Sequence, residues 1–78
     1  MPEYEYQPQN LKALREKLGK TLEEFGAPLG ETRQTVWKWE HGTCPRVNQI
    51  VAICRHYDVK MGLFFDCNYY NGNNYSAA

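Results

Sequence analysis

An all-α domain is the fold class this sequence predicts, and three observations predict it. Apolar residues recur at helical spacing from residue 10 to residue 65, helix-start and helix-stop residues break that run into five pieces, and 78 residues leave room for one small core. A hydrophobic share of 42% is enough to pack that core, while the longest apolar run is far too short to cross a bilayer. The expectation is five short helices in one compact, soluble unit with a tail at each end.

Asn10 is placed to cap the first helix, with Leu11, Leu14 and Leu18 as the inward stripe, Lys12, Arg15, Glu16 and Lys17 facing water, and Gly19 as the stop. Thr21-Leu22-Glu23-Glu24 has the T-x-x-E form of a capping box, so a second helix starts there and runs to about Leu29 before a turn at Gly30. Pro28 falls inside it, lacks an amide proton and crowds the carbonyl of Glu24, which predicts a kink or a shortened helix. Thr32 is the cap of the third helix. At 100° per residue Val36 and Trp39 share its inner face, flanked by Thr32 and Thr35, and Arg33, Gln34, Trp37, Lys38 and His41 take the outer one. Gly42 ends it. Pro45 opens a fourth helix in which Val47, Ile50, Val51, Cys54 and Tyr57 follow the i, i+3, i+4, i+7 pattern to about His56, and Val59, Met61, Leu63, Phe64 and Phe65 predict a short fifth.

Residues 1–9 and 66–78 lack that periodicity and are read as tails, the second expected to be disordered, on either side of a domain at 10–65. Tyr4 and Tyr6 alternate with acids as an edge strand does, and Tyr69, Tyr70 and Tyr75 are the partners such a strand would have; short strands without sheet neighbours are marginal, so the tail reading is preferred. Net charge is zero, but all nine Lys and Arg lie between Lys12 and Lys60 with six acids among them, leaving that stretch at +3 and the ends acidic. A mildly basic centre permits a nucleic-acid partner without requiring one. Cys44, Cys54 and Cys67 are an odd count with no C-x-x-C, which together with the lack of a charged-then-apolar leader predicts free thiols in a cytoplasm.

No cofactor, metal site or catalytic centre is expected. Of His41, Cys44, Cys54, His56 and Cys67, only His41-x-x-Cys44 is a close pair, and Cys54 lies on the apolar face of its helix. No nucleophile, base and orienting acid share a suggestive spacing, no glycine loop is built for phosphate, and Glu23-Glu24 reads as a charged first turn that complements the helix dipole.

Several motifs then fall in one register. Leu11 to Glu16 reads L-x-x-L-R-E, Gly26-x-x-x-Gly30 spaces a small residue from a turn glycine, Val36 to Gly42 reads V-W-K-W-E-H-G, and apolar residues follow from Pro45 through Ile50, Ile53, Val59, Met61 and Phe64-Phe65. Over residues 10–65 this pattern resembles the Cro and phage-repressor (XRE-type) helix-turn-helix family, whose third helix commonly carries [IV]-x-x-W-E-x-G. The resemblance implies a compact five-helix, lambda-repressor-like domain in which the second helix of the unit lies in the major groove of duplex DNA and the first crosses the backbone. On that basis Arg33, Gln34 and Lys38 stand where the family's readers stand. Arg bonds G O6/N7 and Gln bonds A N6/N7 in bidentate fashion, and Lys38 reaches a base or a phosphate. Thr32 and Thr35 would fix the helix start or donate to a phosphate, and Trp37 would touch sugar or thymine methyls, unless it serves a protein contact or pairs with Arg33 four residues before it.

The function implied is that of a small repressor-like transcription regulator, a homodimer by family habit. The sequence also departs from the family: Leu22 stands where a phosphate-binding Gln is frequent, Glu31 where a hydrophobic residue is usual, and the Gly42 to Pro45 connection is one residue short. These departures define a second reading, in which the same fold is a protein-interaction module of antitoxin-like or inhibitory type using Trp37 and the Tyr-rich tails.

Overall fold

The computed structural model of the protein describes residues 4–67, and a helical body dominates it. In order, the chain forms strand β1 (Tyr4–Tyr6), helices α1 (Pro8–Lys17) and α2 (Leu22–Gly26), a 3-10 turn at Ala27–Leu29, helices α3 (Arg33–Glu40) and α4 (Val47–Tyr57), a second 3-10 turn at Met61–Leu63 and strand β2 (Phe65–Cys67). Leu11, Phe25, Val36, Trp39, Ile50, Ile53 and Phe64 form one buried cluster to which every helix contributes. The all-α class therefore holds, with four α-helices among the described residues in place of five.

The fifth helix shrinks to a single 3-10 turn because the chain straightens after Phe64 to pair with the N-terminal segment. β1 and β2 run antiparallel with Tyr4 opposite Cys67, Glu5 opposite Asp66 and Tyr6 opposite Phe65. Of the residues expected as an N-terminal tail, 4–9 are thus strand, a one-residue link and the start of α1, while 1–3 lie outside the described residues; residues 66 and 67 belong to β2. Tyr6 anchors the ribbon, its ring 5.9 Å from that of Phe65 and its hydroxyl donating to the Trp39 carbonyl at 2.8 Å. The partners first considered for Tyr4 and Tyr6, namely Tyr69, Tyr70 and Tyr75, lie outside the described residues.

That ribbon also moves the start of α1. The helix begins at Pro8, where a missing amide proton costs nothing, and Asn10 sits inside its first turn, donating from its side chain to the Leu63 carbonyl at 2.8 Å instead of capping. Leu11 is fully buried, Leu14 packs on the cluster and Leu18, expected inward, is exposed beside the stop at Gly19. Arg15 departs furthest from its expected place in water. Its Nε and Nη2 grip the Glu40 carboxylate at 2.6 and 3.1 Å, its Nη1 donates to the Lys20 carbonyl, and the two side chains are only 15% and 3% exposed. This fork ties α1 to the end of α3, and its hydrogen bonds hold the guanidinium above its ordinary pKa.

In α4 the buried side chains are Ile50 and Ile53, with Cys54 and Tyr57 packed beside them. Val47, expected inward, is 76% exposed, and Val51 is also on the outside. The inward stripe thus runs through Ile53 rather than Val51. Tyr57 stacks on Phe25 at 4.5 Å and donates to the Phe25 carbonyl at 2.7 Å, fastening α4 to α2.

Candidate nucleic-acid interface

The site is built on the pair α2 and α3. The capping box at Thr21 forms as the sequence predicts: the Glu24 amide donates to the Thr21 hydroxyl at 3.1 Å, and the Thr21 amide donates to the Glu24 carboxylate at 2.9 Å. Leu22 turns inward onto the core rather than outward. Pro28 shortens α2 to five residues and sits instead in the 3-10 turn that follows, where its missing amide leaves no helical bond unmade. Gly30 then takes a left-handed φ of 76°, and the Glu31 amide returns to the Gly26 carbonyl at 3.0 Å.

Gly26 sets how close the two helices come. A Cβ placed there would meet the Glu31 carbonyl oxygen at 2.8 Å and a Val36 methyl at 2.9 Å, so a side chain as small as Ala would push α3 away. The carboxylate of Glu31 is drawn into an internal bond, accepting from Gln49 Nε2 at 3.1 Å while Gln49 Oε1 accepts the Arg46 amide at the start of α4. The acid that departs from the family pattern therefore serves to join two helix starts.

Thr32 caps α3 as expected: its hydroxyl accepts from the Thr35 amide at 3.3 Å and lies 3.2 Å from the Thr35 hydroxyl. Val36 and Trp39 are buried, which fixes the rotation of α3 about its axis. Arg33, Gln34 and Lys38 are consequently exposed, Thr35 is half-buried, and Trp37 is 50% exposed. Gln34, Trp37 and Lys38 surround an open recess of about 330 Å³. The structure thus gathers Gln34, Trp37 and Lys38 around one hollow, gives Thr32 and Thr35 to the cap, and leaves Arg33 exposed beside them. The ring partner of Trp37 is His41, with centroids 3.6 Å apart and planes 13° apart, and no Arg33 contact with Trp37 occurs among the described residues. The i, i+4 spacing of Trp37 and His41 was the signal in the sequence for that contact.

The helix-turn-helix family model matches residues 11–64. The chain belongs to the XRE-type helix-turn-helix family. α2 and α3 are accordingly the two helices of that unit, with the 27–31 connection as its turn. No curated protein matches the chain. Among solved structures it is similar to HppE: with the FeII form in complex with substrate it shares 26% identity at a TM-score of 0.69, covering 87% of this chain and 38% of that one. With the CoII form in complex with substrate the identity is again 26%, at a TM-score of 0.68, covering 76% of this chain and 34% of that one. The chain therefore spans little more than a third of the HppE chains it matches. Among the described residues no three or more His, Cys, Asp and Glu gather as a metal cluster, and no helix is long and apolar enough to cross a membrane.

Proposed function

We propose that the chain binds duplex DNA in a sequence-specific way and acts, without catalysis, as a small repressor-like transcription regulator in the cytoplasm, with residues 10–65 as its DNA-binding domain. The observation that carries this reading is the division of α3, in a chain of the helix-turn-helix family, into a face locked in the core and an outer face on which Arg33, Gln34 and Lys38 are exposed; the second helix of such a unit is the one that enters the major groove. Arg33 would read guanine and Gln34 adenine, each bidentate pair giving about 1–3 kcal/mol of discrimination, with Lys38 on a base or a phosphate and the Thr32 and Thr35 hydroxyls positioned for a phosphate.

One module touches few base pairs, so useful selectivity calls for two copies on a pseudo-palindromic site. For the second copy we propose the apolar groove of about 270 Å³ lined by Cys44, Pro45, Val47, Ile50, Met61 and Phe65, where Val47 and Met61 stand exposed.

The test is selection from a random duplex pool across a salt series, with sequencing of what is retained. A steep fall of affinity with salt and a two-part motif at one-turn spacing support the reading, and Arg33→Ala then relaxes preference at one position. Loss of the two-part character in Met61→Glu, with the half-motif kept, supports the groove as the dimer contact. The half-exposed Trp37 favours one other reading, a protein-interaction module whose tails also contribute. Absence of DNA binding at low salt, together with capture of a protein partner that Trp37→Ala abolishes, would establish it.

A further inference from the structure

His41 is not among the side chains expected to read DNA, yet its geometry is set by Trp37 at two points. Its imidazole lies flat on the indole, 3.6 Å between centroids and 13° from parallel, and its Nδ1 is 2.8 Å from the Trp37 carbonyl oxygen. The same carbonyl accepts the His41 backbone amide at 3.0 Å. The end of α3 holds that backbone still: Gly42 takes a φ of 112° and lets the Thr43 amide return to the Lys38 carbonyl at 2.9 Å. A ring bonded to its own helix in this way is a wall, and the exposed indole resting on it is biased toward the stacked rotamer.

His41 lies one turn after Trp37, whereas Gln34 lies one turn before it and shares with Trp37 and Lys38 the recess of about 330 Å³. With one indole face covered, the free face and edge are what Trp37 offers to a ligand. That hollow combines a flat apolar surface, an amide with one donor and one acceptor side, and an ammonium. The major-groove edge of an A·T pair presents the complement: adenine N7 and N6 match the amide, the thymine C5-methyl matches the apolar ring, and O4 or a phosphate matches the ammonium. A G·C pair offers no methyl to the ring.

We propose that the Gln34–Trp37–Lys38 recess takes the major-groove edge of an A·T pair, with Gln34 on the adenine and Trp37 on the thymine, and that His41 is the positioning residue that holds the Trp37 indole against the thymine methyl. The inference rests on the DNA-binding reading, and its test removes a single methyl group. Within the motif selected by the wild-type protein, each thymine is replaced in turn by uracil. The expected result is one position per half-site where uracil lowers wild-type affinity about 4-fold, the worth of one buried methyl. At that position His41→Ala and Trp37→Ala show no uracil penalty, while His41→Phe, which keeps the stack and drops the carbonyl contact, recovers at least half of it. Acrylamide quenching supplies the spectroscopic signature: the Trp37 indole becomes more accessible in His41→Ala and not in His41→Phe, with helix content unchanged in both.

A wild-type protein that selects a motif but is indifferent to uracil at every thymine overturns the thymine assignment. A His41→Ala variant that keeps the uracil penalty overturns the positioning role. Failure of the wild-type protein to retain any duplex DNA overturns the DNA-binding reading itself, and the inference with it.

Discussion

Trp37 and Trp39 stand two residues apart on α3 and occupy opposite environments. A helix turns 100° per residue, so their side chains diverge by about 200°: Trp39 is 2% exposed within the core cluster, and Trp37 is 50% exposed beside Gln34 and Lys38. Trp39 is held by what surrounds it, including Tyr6 on its carbonyl, while Trp37 is held by one neighbour on its own helix. The same residue type is scaffold in one place and available surface in the other, and only the phase of the helix separates the two.

Substitution at Trp39 should have the largest effect. Trp39→Ala removes a buried indole from a small core, and urea unfolding should show a loss of about 3–5 kcal/mol, enough to leave much of so small a domain unfolded. Gly26→Ala should follow at about 1–3 kcal/mol, since the new Cβ meets a carbonyl oxygen that cannot swing aside; thermal melting checks it, and DNA affinity should fall as α3 is displaced.

Tyr6→Phe strips the hydroxyl from the Trp39 carbonyl and should cost about 1 kcal/mol. It should also change the pH dependence. Burial raises the Tyr6 phenol far above its ordinary range, with Cys44 and Glu40 adding to the shift, so the folded state keeps a proton that the unfolded chain gives up near pH 10. The stabilisation is complete below that pH and declines as pH rises through it, so an alkaline unfolding titration of the wild type should slope down above about pH 10, and the Phe variant should slope less. Trp37→Ala should change stability least, within about 0.5 kcal/mol by the same urea measurement, while altering DNA selection. Equal losses of stability at the two tryptophans would dissolve the contrast between the faces of α3.

Features decided within a few residues of chain were legible beforehand. The Thr21 and Thr32 caps, the stop at Gly42, and the inward phase of Val36 and Trp39 depend on local hydrogen bonding and helical period. What escaped depends on partners far away in sequence. Arg15 resembles any solvated helix residue until α3 brings Glu40 to it, and Tyr6 becomes a strand residue only because Phe65 is delivered opposite. Likewise Glu31 reads as a charge near the site until Gln49 of α4 claims it. For the outer face of α3, spacing placed Gln34, Trp37, Lys38 and His41 together, but the flat stack of His41 on Trp37 depends on two ring orientations that spacing leaves open.

The pairing of Tyr4 with Cys67 sets the two extremes of the described chain side by side, since opposed strand residues lie about 4.5–5.5 Å apart between Cα atoms. The stretch from Tyr4 to Cys67, whose two limits meet in this way, is topologically almost a ring. A linker of a few residues between them would close it, and fresh termini could be opened at the exposed Thr43 connection between α3 and α4 without pulling a helix apart. The same geometry lets the unit be spliced into a surface loop of a larger host, entering and leaving through one gap.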